Sequence, residues 1–206
     1  NHTCSNLNYQ AWGNTDAEKK SLPTTAGNYY LVSDISLTAT WTNAASTKIN
    51  ICLNGLKLTS PNRAFMVVGT LNITDCDSTG MVQTTYNQNG GVLKLSNGGT
   101  FNLYGGTLNC TESVATGGAS VVVSTDGYGG LTSSEKKTTI FNMYGGKLSG
   151  GKTAGNGGNV TLFHENCYFN MYGGIVENGV ARLQGGVYTY DNGDVKLSLA
   201  ISSKVF

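Results

Sequence analysis

The 206-residue chain has two prolines, two histidines and charged side chains at only 12% of its positions, about half the usual share. With proline almost absent and 29 glycines present, turns must be built from Gly and Asn. The 13 basic residues are scattered and the net charge is +1, so no face reads as a phosphate footprint and nucleic acid is not an expected partner. No apolar run approaches the roughly 20 residues of a membrane-spanning helix, so membrane insertion is not expected. A secretory leader is also missing: the chain opens Asn1-His2-Thr3-Cys4 and reads as an excised fragment or mature product, which says nothing about export.

What is present argues for a folded core. Low charge with abundant Gly, Asn, Ser and Thr is compatible with disorder. Eleven tyrosines, six phenylalanines and regularly spaced Val, Leu and Ile argue against it. The length suits one sizeable domain. The cysteines, Cys4, Cys52, Cys76, Cys110 and Cys167, are odd in number and widely spaced, a poor disulfide framework. Cys52 and Cys76 stand 24 apart, near one repeat, so a bridge between them is open. Buried cysteines in interior stacks are the competing expectation.

Laying the chain on itself reveals a repeat. Phe101-Asn102-Leu103-Tyr104-Gly105-Gly106 returns as Phe141-Asn142-Met143-Tyr144-Gly145-Gly146 and as Phe169-Asn170-Met171-Tyr172-Gly173-Gly174. Weaker copies precede it at Leu71-Asn72-Ile73 and Ile49-Asn50-Ile51, so the asparagines advance in steps of 22, 30, 40 and 28. Short strand candidates flank each copy. Ahead of it lie Phe65–Val68, Val92–Leu95, Val121–Val123, Val160–Phe163 and Val187–Tyr190. Behind it lie Leu56–Leu58, Thr107–Asn109, Lys147–Ser149 and Ile175–Val176. Strands this short cannot bury an apolar face alone, whereas equivalent strands one repeat apart can pair in parallel over a shared core.

The expected fold is therefore all-β: a right-handed parallel β-helix, or solenoid, of about five to six coils. A β-sandwich or jelly roll also has many short strands, but gives no reason for a repeated F-N-x-Y-G-G. Residues 1–28 are expected to form a polar N-terminal cap, with a helical turn at Ala17–Lys20 and with Trp12 and Trp41 over the open end of the core. Residues 29–206 form the solenoid, and the long step of 40 predicts an insertion around 117–137. A last strand is expected at Val195–Ile201, and ending at Phe206 soon afterwards suggests that the native chain continues.

The stretches Ser21-Leu22-Pro23, Ala26–Leu31, Thr40-Trp41-Thr42, Ile51–Gly55 and Thr74-Asp75-Cys76, taken with the F-N-x-Y-G-G copies, resemble β-helix modules of large surface proteins from Gram-positive gut anaerobes. The resemblance covers most of the chain, but on scaffold motifs. It implies an extracellular, cell-surface or secreted setting, a monomeric module of a larger chain, and adhesin-like contact with the host. Some gut surface proteins of this general kind bind host immunoglobulin. Scaffold motifs do not place that activity on residues, because fold does not fix function.

An enzyme on this scaffold, a polysaccharide lyase or glycoside hydrolase, is the alternative, and a structural spacer with no ligand is a second. A lyase of this kind needs clustered Asp for Ca²⁺ and a basic residue. Asp75 with Asp77, on one side of a strand by alternation or in a turn, is the acidic pair weighed for a cation, and Asp191 with Asp194 is a second pair. Arg63 and Arg182 sit in no motif. No carboxylate ladder follows the repeat, where Thr107, Lys147 and Ile175 stand. His164-Glu165 reads as a turn pair, since adjacent strand residues point to opposite faces. His2 and Cys4 supply only two of the four ligands a closed zinc site needs. A non-catalytic module without metal or cofactor is therefore expected, binding a host protein or a glycan.

Alternation within F-N-x-Y sends Phe and Leu/Met inward and Asn and Tyr outward. Stacking would line Asn102, Asn142 and Asn170 beside Tyr104, Tyr144 and Tyr172, forming either a stiff contact surface or a ladder that serves only the fold. The insertion, with Tyr128, Lys136 and Lys137, is the second candidate surface.

Overall fold

The structure, a computed structural model, describes residues 8–114, 118, 120–125, 135–190 and 194–196, and of 113, 114 and 194–196 only the backbone. Strand β1 (Gln10–Trp12) leads into six coils. The first is β2 (Gly27–Leu31), β3 (Ile35–Ser36) and β4 (Trp41–Thr42), and the second is β5 (Lys48–Cys52), β6 (Lys57–Ser60) and β7 (Phe65–Val67). The third is β8 (Thr70–Thr74), β9 (Met81–Thr84) and β10 (Leu93–Leu95). The fourth is β11 (Thr100–Leu103), β12 (Thr107–Cys110), β13 (Ser113–Val114) and β14 (Val121–Ser124). The fifth is β15 (Thr139–Met143), β16 (Lys147–Ser149), β17 (Lys152–Thr153) and β18 (Val160–Phe163), and the sixth is β19 (Cys167–Met171), β20 (Ile175–Glu177) and β21 (Val187–Thr189). With β22 (Asp194–Lys196) the chain returns to the first side.

Every pairing is parallel and joins equivalent strands of successive coils. Sheet I runs β1-β2-β5-β8-β11-β15-β19-β22, sheet II β20-β16-β12-β9-β6-β3, and sheet III β21-β18-β14-β10-β7-β4. The expected parallel β-helix is the fold. Each parallel crossover is supplied by the other two sides of the same coil, so no helix is needed to return the chain. Among the described residues no helix is long and apolar enough to cross a membrane.

The core follows from alternation. Ile49, Leu71, Phe101, Phe141 and Phe169 form one inward column of sheet I, in register and fully buried. Ile35, Leu58, Val82, Leu108 and Leu148 line sheet II, while Phe65, Leu93, Val121 and Val160 line sheet III, all at zero exposure. The phenylalanine rings touch across coils, with centroids 5.4 Å apart for Phe101–Phe141 and 4.8 Å for Phe141–Phe169.

The Gly-Gly pair of the repeat has two separate causes. A Cβ on Gly145 or Gly173 would lie 2.4 or 2.7 Å from the carbonyl oxygen of the tyrosine one coil earlier, so the first glycine permits close stacking at the corner. Gly106, Gly146 and Gly174 have φ of +81°, +74° and +93°, a region that L side chains rarely adopt.

The N-terminal end is closed by residues from both sides of the expected boundary at 28. β1 already pairs with β2 in sheet I, and β2 begins at Gly27. Trp12 packs edge-on to Tyr29 and donates from Nε1 to the Ser21 carbonyl. Trp41 lies in sheet III, stacks edge-on to Phe65 and reaches the Pro23 carbonyl through Nε1. The helical turn is a single 3-10 turn at Glu18–Lys20, where the Glu18 carboxylate accepts the N–H groups of Gly13, Asn14 and Thr15.

The long fourth coil differs from the expected insertion at 117–137. Val121–Ser124 are not looped out; they form β14 in the middle of sheet III, because their side chains fill the core and cover its outer face. Part of the extra length makes β13, which pairs with β17 on an added side. Residues 126–134 lie outside the described residues, and of the expected last strand only Asp194–Lys196 lies within them.

Cys52 does not bridge Cys76. Their sulfurs are 3.0 Å apart, but Cys52 keeps its thiol while Cys76 is held in a disulfide. Burial pushes the Cys52 and Cys110 thiols above the ordinary cysteine range. Since the thiolate is the reactive form, iodoacetamide at neutral pH is expected to leave both unmodified in the native protein while labelling both in urea. Mass spectrometry of the digested protein reads the difference, and fast native labelling of either would contradict the burial.

Candidate functional site

The outward residues of sheet I form two ladders. The inner one is asparagine. Asn50 Nδ2 donates to Asn28 Oδ1 at 2.6 Å, Asn72 donates in turn to Asn50, and Asn102 to Asn72 at 2.6 Å. Asn142 donates to Asn102 at 2.8 Å and Asn170 to Asn142 at 2.9 Å. Six carboxamides thus form one directional chain along the solenoid axis. Asn72 is 9% exposed and the others are half-buried. Each inner amide spends one N–H and one oxygen lone pair on its neighbours, so Asn102, Asn142 and Asn170 serve the stack first. Asn28 is a sixth rung, beyond the five asparagines of the repeat. Its signal was the step of 22 to Asn50, the same as from Asn50 to Asn72.

The outer ladder is tyrosine. Tyr104 and Tyr144 stack with centroids 4.8 Å apart and planes 7° from parallel, and Tyr144 and Tyr172 with 5.0 Å and 10°. All three are exposed, at 50%, 44% and 41%. The alternation expected for F-N-x-Y is therefore observed: the tyrosines face solvent at the corner between sheets I and II. Desolvation within the stack, then the two neighbouring phenols, raise the Tyr144 hydroxyl above the ordinary tyrosine range.

The strip has a defined start. Continuing the sheet I register by one residue beyond Leu103–Ile73 sets Tyr104 opposite Thr74, and Thr74 pairs with Cys52. Coils two and three therefore carry no ring at this position. The corner of coil three is also longer, running Asp75–Gly80 where coils four to six use two glycines. The longer corner stands beside Tyr104 and encloses a notch of about 330 Å³, lined by Asp75, Ser78, Tyr104, Thr107 and Lys147 over Gly105, Gly106 and Gly146.

The second candidate surface lies apart from the first. Lys136 Nζ is 3.6 Å from a Glu165 carboxylate oxygen, and the Lys137 N–H is bonded to Asn97 Oδ1. These groups meet just before β15, whereas Tyr144 follows it, so the length of a sheet I strand separates the two patches. Tyr128 lies outside the described residues.

The residues weighed for catalysis do not converge. Asp75 is in a turn rather than on a strand face. Its two oxygens accept the N–H groups of Gly55 and Gly80, each at 2.7 Å, so the carboxylate pins one corner to the next. Arg63 is buried at a different corner, donating to the carbonyls of Gly90 and Asn89 with its guanidinium 5.3 Å from the centre of the Tyr86 ring. Arg182 is exposed on the sixth coil. His164 and Asn166 have φ of +76° and +63° on either side of Glu165, the geometry of a tight turn. Among the described residues no three His, Cys, Asp or Glu side chains are placed to hold a metal ion. Asp191, His2 and Cys4 lie outside the described residues, and Asp194 is described by its backbone alone. No protein-family model, curated protein or solved structure matches the chain.

Proposed function

We propose that this chain is a non-catalytic, adhesin-like recognition module of an extracellular surface or secreted protein, binding a host protein or glycan through the Tyr104–Tyr144–Tyr172 strip. The observation that carries the proposal is the exposure of three stacked rings on a rigid parallel sheet. Aromatic side chains with few rotamers give large contact area at little entropic cost. A spacer needs only the asparagine ladder and the buried columns, and has no use for three large rings half in solvent. The Cys76 disulfide favours an oxidising, extracellular compartment.

A pull-down from serum and mucin extracts, immunoglobulin included, run beside a glycan array, tests the proposal. The variant carrying Tyr104→Ala, Tyr144→Ala and Tyr172→Ala together is expected to lose at least about tenfold in affinity, since buried aromatic anchors dominate interface energies. Its circular dichroism and urea midpoint are expected to stay close to the parent's. Undiminished binding by the triple variant, or release of reducing or unsaturated sugars from a polysaccharide panel, would overturn the proposal.

A further inference from the structure

The notch at the start of the tyrosine strip has the features of a ligand subsite, and its chemistry selects a class. Within the strip each ring covers its neighbour: Tyr144 is sandwiched, and one face of Tyr104 lies against it. The other face of Tyr104 has no aromatic partner, because its register partner is Thr74. Tyr104 lines the notch together with Asp75 and Ser78 from the coil on that side, and it is the most exposed of the three rings. A flat aromatic face beside hydroxyl and charged groups suits a pyranose ring, whose axial C–H groups pack on the ring while its hydroxyls bond to the polar lining. The volume, about 330 Å³, lies at the small end of ligand clefts, room for a terminal sugar rather than a long chain.

Charge narrows the class further. Lys147 Nζ is 3.1 Å from a Glu177 carboxylate oxygen, so its charge is already balanced. Asp75 adds a second carboxylate at the notch. The local balance is one cation to two anions, which disfavours a sialic or uronic acid and leaves neutral sugars. Asp75 and Ser78 have acceptors to offer sugar hydroxyls, Lys147 has donors, and Ser78 and Thr107 have both.

We propose that this notch is the terminal subsite for a neutral hexopyranose, stacked on the free face of Tyr104 and hydrogen-bonded by Asp75, Ser78 and Lys147. The assignment rests on the tyrosine strip being the binding surface and chooses a glycan as its ligand. Thr107 is a half-buried position at the start of β12 that lines the notch, whereas the next residue, Leu108, points into the core, so a bulkier side chain at 107 projects into the notch rather than into the core.

Titration of ¹⁵N-labelled protein with methyl glycosides of galactose, glucose and mannose, and separately with sialic acid, tests it. At least one neutral glycoside is expected to shift the Gly105, Gly106 and Ser78 amides saturably at millimolar concentration, with sialic acid causing no such shift. Ser78→Ala with Lys147→Met, and separately Thr107→Trp, are expected to weaken that binding at least tenfold, with the folded spectrum retained elsewhere. Preference for sialic acid, or neutral-sugar binding unchanged in both variants, overturns the assignment. If no sugar shifts these amides while the triple tyrosine variant still loses a host ligand, the subsite is wrong and the recognition surface stands. If neither binds anything, both fail.

Discussion

Phe141→Ala is expected to lower the unfolding free energy by about 3–5 kcal/mol, the range for removing a fully buried phenylalanine. Phe141 has zero exposure and lies between Phe101 and Phe169, so its removal strands two ring faces at once. The site collapses poorly. β15 is hydrogen-bonded to β11 on one side and β19 on the other, and the coil spacing is set by those bonds rather than by side chains. In a quasi-one-dimensional fold each coil is held by its neighbours, so the cavity also weakens coupling between the fourth and sixth coils. Phe141→Leu is expected to cost far less, because Leu71 already occupies the equivalent place two coils earlier. Urea unfolding followed by circular dichroism reads both. An alanine variant within 1 kcal/mol of the parent would mean that the column does not form the core.

Asn72→Asp is expected to cost about 2–4 kcal/mol at neutral pH. The substitution is nearly isosteric, so packing is not the cause. Asn72 donates to Asn50 Oδ1 and accepts from Asn102 Nδ2. A carboxylate keeps the second bond and loses the first, setting two oxygens against each other at a site 9% exposed. Burial and this contact both disfavour the charged form, so the folded-state pKa of the new carboxyl must rise above its unfolded value of about 3.9. The native state then binds the proton more tightly, and stability relative to the parent falls as pH rises through the folded pKa. As pH falls below the folded pKa the protonated carboxyl can donate to Asn50 and the deficit is expected to shrink, reaching its minimum by about pH 3.9. The difference between variant and parent urea midpoints, measured across pH, reads the effect with the sign fixed in advance. A deficit independent of pH would place the loss in packing rather than in the ladder.

Much of the fold was legible because its period is carried by chemistry. F-N-x-Y-G-G states alternation, a buried phenylalanine and a tight corner within six residues, so three copies were enough to set the register of sheet I between residues 101 and 172. Copies that replaced Phe and Tyr were harder to see. Gly27-Asn28-Tyr29 is in register with Ile49-Asn50-Ile51, yet shares only its asparagine. β9 carries no repeat marker in the sequence, because it follows the long Asp75–Gly80 corner instead of a Gly-Gly pair, although Met81–Thr84 alternate as a strand should. Val121–Val123 read from sequence both as a strand and as part of the insertion, since length alone does not say where in a coil the extra residues leave the sheet.

The site divides in the same way. That Tyr104, Tyr144 and Tyr172 face outward and fall in one column follows from alternation and repeat, both local properties of the chain. That they stack at 4.8 and 5.0 Å follows from strand spacing once the column exists. The notch belongs to neither. Asp75, Ser78, Tyr104 and Lys147 come from three coils and share no motif, and they meet only because corners of unequal length are stacked on one another. Tertiary structure likewise decided that Asp75 serves two backbone N–H groups and that Arg63 turns into a buried corner, because the partners in each case belong to other turns of the solenoid. Periodicity is a property of neighbours along the chain. A step between coils is a difference in loop length, and becomes a surface only when the coils are laid side by side.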